Sequence, residues 1–131
     1  MMFLLETNTL IDFFKGQGRV AERLLATPPN QVGISAIVLH ELQTGIAKST
    51  QPEKRHHQLE SLVSAAMLFP FGAPEAAASA LIRADLERAG TPIGPLDTLI
   101  AGTALANRAV LITHNTREFS RVSNLALEDW Y

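Results

Sequence analysis

Short, mostly apolar runs recur along the chain and are separated by longer segments with helical periodicity. Four of these runs have the composition of strands buried on both faces of a sheet. They are Met2–Leu5, Val32–Ile34, Leu68–Phe71 and Val110–Thr113. The third is the weakest of the four. The pattern therefore predicts at least four short strands, each followed by helical sequence.

Amphipathic or wholly apolar helical patterns fill the intervals between the strands. The predicted helices are Thr7–Phe14, Arg19–Ala26, a helix capped by Ser35 that ends near Lys48, Pro52–Ala66, Ala73–Ala89 and Leu96–Ala106. We expect Thr7 or Asn8 to be the N-cap of the first helix, because both side chains can accept a bond from a free helix amide. No element is predicted for the tail, Leu125–Tyr131.

Strands that alternate with helices predict an α/β fold, with a parallel sheet covered by helices on both faces. The 131 residues fit one domain, 1–131, which is long enough to bury a core without disulfides or structural metals. Ligands of parallel sheets bind outside the carboxyl ends of the strands. Glu6 and the Thr113–Asn115 turn both follow predicted strands, so we expect a site there.

Composition narrows the class of protein. The chain has no cysteine, which excludes a disulfide framework and a thiolate metal site and agrees with a reducing compartment. Its net charge of −2 does not by itself indicate nucleic-acid binding. No apolar stretch approaches the ~20 residues of a membrane span, and no secretory leader is recognisable. We expect a cytoplasmic protein that does not bind membranes.

Four acidic residues lie at strand ends or in helix turns that face the apolar side of the pattern. They are Glu6, Glu41, Asp97 and Glu118. An isolated charge in such a place costs free energy unless a cation neutralises it. Together the four acids predict one bound divalent metal centre.

Each acid also has an ordinary structural explanation when it is taken alone. Glu41 can be a boundary residue that reaches water from the edge of an apolar helix stripe. Asp97 lies in the first turn of its helix, where the macrodipole favours an acid by about 0.3 to 1 kcal/mol. Asn115 and Glu118 resemble a capping box, and Glu6 precedes a helix start. The occurrence of all four in one chain favours the metal centre.

The histidines and the missing motifs limit the alternatives. We interpret His40, His56 and His57 as surface or boundary residues, whereas His114 lies in the turn beside the expected site and could contact substrate. The chain has no HExxH motif, no Ser/His/Asp arrangement and no glycine-rich phosphate-binding loop. The first two absences argue against a zincin and a serine hydrolase.

Several segments together resemble a known family. They are Leu4–Asn8, Ile34–Leu42, Gly90–Asp97, Ile100–Gly102 and Thr113–Phe119, with a further similarity at Leu127–Trp130. In this order they resemble the PIN-domain toxins called VapC, and the match spans nearly the whole chain. The segments that read GTPxGPxD and TxNxxEF are far more specific than any single acid.

The resemblance implies a three-layer α/β/α domain, a homodimer, and a magnesium- or manganese-dependent endoribonuclease of a bacterial toxin–antitoxin pair. Its implied partner is a VapB-type antitoxin, and its implied substrate is tRNA, notably initiator tRNA cut in the anticodon stem-loop. In the family, the acids that match Glu6, Glu41, Asp97 and Glu118 hold the metal. The residues that match Thr7, Asn8, Thr113 and Asn115 support them.

One position departs from the family motif LDTN, because this chain has Glu6 between Leu5 and Thr7. The extra methylene lengthens the acid by about 1.5 Å, which is large for a near-octahedral magnesium shell. Either the metal shifts and ligation survives, or the chain is an impaired PIN domain that binds antitoxin or RNA without cutting. A general phosphohydrolase of small phosphoesters is a further alternative, which the motif match disfavours.

The chemistry expected of the site is phosphodiester hydrolysis. A metal held by carboxylates can supply hydroxide and stabilise charge on the phosphate oxygens. Several basic residues are candidate phosphate contacts, although each is explained equally well as surface charge. They are Lys15, Arg83, Arg88, Arg117 and Arg121. We predict that the four acids converge at the carboxyl ends of the strands.

Overall fold

The structure is a computed structural model that describes residues 1–131, and it contains five strands and seven helices. The strands are β1 (Phe3–Leu5), β2 (Val32–Ser35), β3 (Met67–Phe69), β4 (Val110–Ile112) and β5 (Leu127–Glu128). The helices are α1 (Thr7–Lys15), α2 (Val20–Leu25), α3 (Ala36–Ala47), α4 (Pro52–Ala65), α5 (Ala73–Arg88), α6 (Pro95–Ala106) and α7 (Thr116–Phe119). A short 3₁₀ turn, Pro29–Gln31, precedes β2.

All five strands are parallel, in the order β3-β2-β1-β4-β5. The central strand is β1, in which Phe3 pairs with Val32 of β2 on one side and with Val110 of β4 on the other. The chain crosses the sheet in one direction from β1 to β3 and in the other from β3 to β5. Right-handed crossovers therefore place helices on both faces, which gives the expected three-layer α/β/α fold.

This strand order also locates the site. The direction of winding reverses between β1 and β4, and ligands of open parallel sheets bind at such a switch point, beyond the carboxyl ends of the strands. Glu6 follows β1 and Thr113 follows β4. The fold thus places these two residues side by side at the expected position.

Local sequence explains the main helix starts. Ser35 is the N-cap of α3, where its side-chain oxygen accepts a 3.1 Å hydrogen bond from the backbone N–H of Val38. Pro95 begins α6, and its missing N–H is not needed there. Helices α5 and α6 pack closely because Gly102 has no side chain. A Cβ atom at this position would lie only 1.9 Å from the Ser79 Oγ atom. These helices rest on a core of 21 buried apolar residues.

The structure corrects three details of the sequence prediction. The N-cap of α1 is Glu6, not Thr7 or Asn8, because the β1 backbone stays paired through Glu6, whose N–H donates to the Ile112 carbonyl at 2.9 Å. The third strand begins and ends earlier, at Met67–Phe69. The tail adds a fifth strand, Leu127–Glu128, beside β4. No helix is long and apolar enough to cross a bilayer.

Candidate functional site

Glu6 is the buried centre of the site. Its side chain is 3% exposed, and the Thr113 hydroxyl donates a 3.3 Å hydrogen bond to it. The pKa of Glu6 is raised to about 7, mainly by burial and to a smaller extent by the charges of Asp97 and Glu41, while hydrogen bonds from the Asn8 backbone amide and the Thr113 hydroxyl act in the opposite direction. A carboxylate that is hard to ionise without a cation occupies the end of β1.

Asp97 lies in the first turn of α6 and is half-buried. Its pKa is raised by burial first, and then by the charges of Glu41 and Glu118. Because Glu6 also responds to Asp97 and Glu41, the four acids form one electrostatically coupled group. We call Glu6, Glu41, Asp97 and Glu118 the carboxylate cluster. The structure therefore brings together acids that four different elements carry.

Neighbouring hydroxyl and amide groups orient the members of the carboxylate cluster. The Thr7 hydroxyl donates to the Glu41 carboxylate. The Asn115 side-chain amide donates to Glu118 at 3.1 Å. Neither side chain makes a capping bond to a helix amide there, so the capping-box explanation of this pair is wrong. Of the expected supporting residues, Thr7, Thr113 and Asn115 contact the cluster.

Asn8 is placed differently from the other supporting residues. Its side chain is exposed and makes no hydrogen bond, and only its backbone amide influences Glu6. The carboxylate cluster as a whole has no cationic partner, because none of the six ion pairs of the structure includes one of its acids. The three acids around Glu6, which are Glu41, Asp97 and Glu118, are half-buried and form no ion pair within the protein.

The donor set of the carboxylate cluster fits a hard divalent cation. Carboxylate oxygens are the ligands that magnesium and manganese prefer, and no thiolate or imidazole competes with them. No three of these acids are close enough to chelate one ion in the present side-chain positions. Magnesium commonly uses one or two carboxylates together with water and substrate phosphate. The arrangement therefore agrees with a metal that is completed by substrate.

The basic residues expected to contact RNA are distributed unevenly around the site. Lys15 lines a groove of about 190 Å³ that also includes Glu41 and Arg55, so it lies beside the carboxylate cluster. Arg117 is exposed on α7, next to Glu118 in sequence. Arg55 was not predicted, since nothing in its helix pattern distinguishes it from other surface cations. Lys15, Arg55 and Arg117 are the cations best placed to meet a phosphate backbone.

The other three arginines that were predicted to contact RNA have local partners. Arg121 donates a 3.1 Å hydrogen bond to the Pro92 carbonyl. Arg83 and Arg88 form exposed pairs with acids of their own helix, α5. Such pairs stabilise little and exchange readily, so they do not prevent an arginine from meeting RNA. His114 is exposed in the loop after β4 and hydrogen-bonds to Asp129 at 2.9 Å.

Comparison with known proteins extends this picture to the whole chain. The PIN domain family model matches residues 3–125. The chain is 36% identical to the tRNA(fMet)-specific endonuclease VapC of Shigella flexneri, over 99% of this chain and 98% of the relative. It is also 36% identical to ribonuclease VapC2 of Rickettsia felis, with the same coverage of both chains.

Solved structures agree with the sequence relatives. The crystal structure of VapBC2 from Rickettsia felis bound to a promoter DNA fragment matches with a TM-score of 0.93, 35% identity and full coverage of both chains. FitAcB from Neisseria gonorrhoeae matches with a TM-score of 0.83 and 31% identity, over 96% of each chain. Given this full-length likeness and the acids gathered beyond β1 and β4, the chain belongs to the PIN-domain family, and within it to the VapC ribonucleases.

Proposed function

We propose that this chain is a magnesium- or manganese-dependent endoribonuclease that cuts tRNA and acts as the toxin of a toxin–antitoxin pair. The observation that carries the proposal is the carboxylate cluster, in which a buried acid and three neighbours lack any cationic partner. A site of this kind, in a chain related to ribonucleases over its full length, has the ligands for a metal-assisted phosphodiester hydrolysis.

The residues of the site fall into two groups in the proposed reaction, those that hold the metal and those that orient them. Glu6, Glu41, Asp97 and Glu118 would hold the metal, one or two of them directly and the others through bound water, because no three are close enough to chelate one ion. The bound metal would supply an activated water and stabilise charge on the phosphate. Thr7 and Asn115 keep Glu41 and Glu118 in fixed orientations through their hydrogen bonds. Thr113 does the same for Glu6. This preorganisation lowers the cost of gathering like charges before substrate arrives.

The substrate proposal rests on the relatives and on the surface around the site. Two relatives that match over 130 residues are named tRNA(fMet)-specific endonucleases. We infer the same class of substrate here, initiator tRNA cut in the anticodon stem-loop. Lys15, Arg55 and Arg117 would contact the phosphates of this stem-loop, and Arg83, Arg88 and Arg121 are further candidates for such contacts. Cleavage of tRNA would take place in the cytoplasm.

The direct test is incubation of the purified chain with initiator tRNA and, as a comparison, elongator methionine tRNA. We expect cleavage of the first in the anticodon stem-loop, only when magnesium or manganese is present. Asp97→Asn is the inactive control, because it removes a charge from the carboxylate cluster while preserving the size of the side chain. Cleavage that continues in EDTA, or that is unchanged in Asp97→Asn, would contradict the proposed site.

The second candidate function is an impaired PIN domain that binds antitoxin or RNA without cutting. The observation that favours it is Glu6 itself, whose side chain is one methylene longer than the aspartate of the family motif and so is poorly matched to a near-octahedral magnesium shell. Glu6→Asp separates the two candidates. If the longer acid misplaces the metal by about 1 Å, the aspartate variant should cleave about 10- to 100-fold faster with magnesium.

Equal cleavage by the natural chain and Glu6→Asp would show that the pocket has adapted to glutamate. Partial recovery of the natural chain with manganese, which is larger, would agree with a shifted metal. If neither version cuts tRNA, hydrolysis of tRNA is not the activity of this fold. A general phosphohydrolase would instead hydrolyse small phosphoesters, which we expect to be poor substrates.

We also propose a VapB-type antitoxin as partner and a homodimer as the assembled state. Similar solved structures are toxin–antitoxin complexes, which supports the partner. Exposed apolar side chains, including Leu81 on α5 and Leu96 at the start of α6, supply surface for self-association. Light scattering tests the dimer, and a mass of 14.2 kDa at micromolar concentration would count against it. A small antitoxin-like reading frame beside the gene would support the partner.

A further inference from the structure

Two aromatic rings, one from the loop after β4 and one from the tail, form an exposed stack. The rings of His114 and Tyr131 are 4.2 Å apart between centroids, with 20° between their planes. The His114 side chain is 54% exposed, and Tyr131 is 47% exposed. The pair therefore lies outside the core and presents aromatic surface to solvent. We call His114 and Tyr131 the aromatic stack.

Three contacts hold the aromatic stack in one orientation. Asp129 accepts a bond from the Tyr131 backbone N–H at 2.9 Å, and its other oxygen lies 2.9 Å from His114 Nδ1. The Arg19 backbone N–H donates to the Tyr131 carbonyl at 2.9 Å. A Cβ atom on Gly18 would come within 2.9 Å of the Tyr131 ring, so this glycine lets the ring approach the backbone. Fixing two exposed rings costs side-chain entropy and buries little apolar area.

The position of the aromatic stack relates it to the carboxylate cluster. His114 directly follows Thr113, whose hydroxyl bonds to Glu6, and directly precedes Asn115, whose amide bonds to Glu118. Consecutive Cα atoms are about 3.8 Å apart. The imidazole thus leaves the backbone between two residues that orient members of the carboxylate cluster. The ring itself contacts Asp129 and Tyr131 in the tail beyond β5, so it could meet only a nucleotide that neighbours the one whose phosphate lies at the cluster.

The charge of the pair indicates which part of the RNA it meets. Asp129 is a carboxylate in contact with the imidazole, so the local charge is neutral at most and does not attract a phosphate. Aromatic faces, by contrast, stack on nucleobases of any sequence, and histidine is among the side chains used for this purpose. The contact suited to this surface is a base and not the backbone.

We propose that the aromatic stack binds an unpaired nucleobase next to the cleaved phosphate, with His114 as the contact face and Tyr131 as its support. This proposal rests on the proposed ribonuclease function and specifies how that site holds its substrate. His114 is then a positioning residue for the scissile phosphate. Asp129 and Gly18 act through it by fixing the two rings.

The test measures binding of the anticodon stem-loop of initiator tRNA by fluorescence anisotropy in EDTA, so that no cutting occurs. His114→Ala should weaken binding by about 5- to 150-fold, the range that corresponds to the loss of one base stacked on an aromatic ring. His114→Phe keeps a ring but loses the bond to Asp129, and should bind within about threefold of the natural chain. The matched control is His56→Ala, since His56 is also exposed and paired with an acid, Glu60, but on α4.

Abasic stem-loops identify the base and separate stacking from folding effects. Each unpaired loop base is removed in turn, and both the natural chain and His114→Ala are titrated. We expect one position at which removal of the base weakens binding by the natural chain as much as His114→Ala does. Removal of the same base should not weaken binding by His114→Ala any further. A displaced tail would weaken binding equally at all abasic positions, so coupling at one position indicates stacking. Thermal unfolding of each variant checks separately that the fold is intact.

The outcomes distinguish the two proposals. If the natural chain cuts RNA but His114→Ala binds equally well, or no abasic position shows coupling, the aromatic stack is only a clamp for the tail and the ribonuclease proposal stands. If coupling is found without any cutting, the aromatic stack is supported and the ribonuclease proposal fails. If neither the natural chain nor its variants bind the stem-loop, the proposed role of the aromatic stack is also refuted.

Discussion

Replacing Glu6 by glutamine should stabilise the metal-free protein at pH values above 7. The substitution keeps the size of the side chain and its contact with Thr113, but it removes a charge that is 3% exposed and has no cationic partner. Functional sites are often held at a cost in stability, so a change at a functional acid can alter stability as well as activity. Here the structure predicts that stability also changes, and in the opposite direction.

The magnitude follows from the pKa of Glu6, which is about 7 in the folded protein against 4.5 in the unfolded chain. One pKa unit corresponds to about 1.4 kcal/mol, so the fully ionised acid destabilises the fold by about 3 kcal/mol. Below pH 4.5 the acid is protonated in both states and the cost is absent. The cost grows between pH 4.5 and 7 and is complete above pH 7. The natural chain should therefore lose stability with rising pH relative to Glu6→Gln.

Urea unfolding in EDTA at pH 4.5, 6 and 8.5 measures this difference. We expect the free energies of unfolding to converge at pH 4.5 and Glu6→Gln to be about 2 to 3 kcal/mol more stable at pH 8.5. Magnesium or manganese should then stabilise the natural chain more than the variant, because a ligand that binds only the folded state shifts the equilibrium toward it. Glu53→Gln is the matched control, since it removes the same charge from an exposed position on α4.

Equal stability of Glu6→Gln and the natural chain at every pH would refute this reasoning. It would mean that the Asn8 amide and Thr113 fully compensate the buried charge. A Glu6→Gln variant that is less stable than the natural chain above pH 7 would contradict the reasoning more strongly, because it would show that the folded protein prefers the ionised acid. In either case the proposed need of the carboxylate cluster for a cation would lose its energetic basis.

Three further substitutions test the packing around the site by urea or thermal unfolding. Gly102→Ala should cost about 1 to 3 kcal/mol, since the new Cβ would meet Ser79 at the crossing of α5 and α6. Ser79→Ala should be neutral or stabilising, because the Ser79 hydroxyl is buried without a partner, and a clear loss would reveal a hidden one. Ser35→Ala should cost about 1 kcal/mol through loss of the bond to Val38, and an unchanged midpoint would show that α3 does not need this cap.

The sequence predicted the elements well wherever the pattern was local. Apolar runs identified four strands, and Ser35 and Pro95 identified two helix starts, because each signal lies within a few residues of its effect. The fifth strand, Leu127–Glu128, was missed because it has only two residues and exists through its pairing with β4. The N-cap of α1 was misplaced for the same reason, since the partner of Glu6 is Ile112.

The site was predictable as a set of residues but not as a geometry. Acids in unfavourable positions singled out Glu6, Glu41, Asp97 and Glu118, yet spacing along the chain does not show that they influence one another. That information lies in the strand order, which places β1 beside β4. The contact of His114 with Asp129 and Tyr131 had no signal in the sequence, because it depends on how the tail returns to the loop after β4.

The central place of β1 in the sheet determines when the carboxylate cluster can form during synthesis of the chain. The ribosome makes β1 first, but β4, one of its two neighbours, is made near the end, together with Asp97 and Glu118. An unfinished chain lacks both the strand that supports Glu6 and half of the acids. Under the proposed toxin function, fragments left by interrupted translation should therefore be inactive, and synthesis itself, which takes on the order of 10 s, would give the proposed antitoxin time to accumulate.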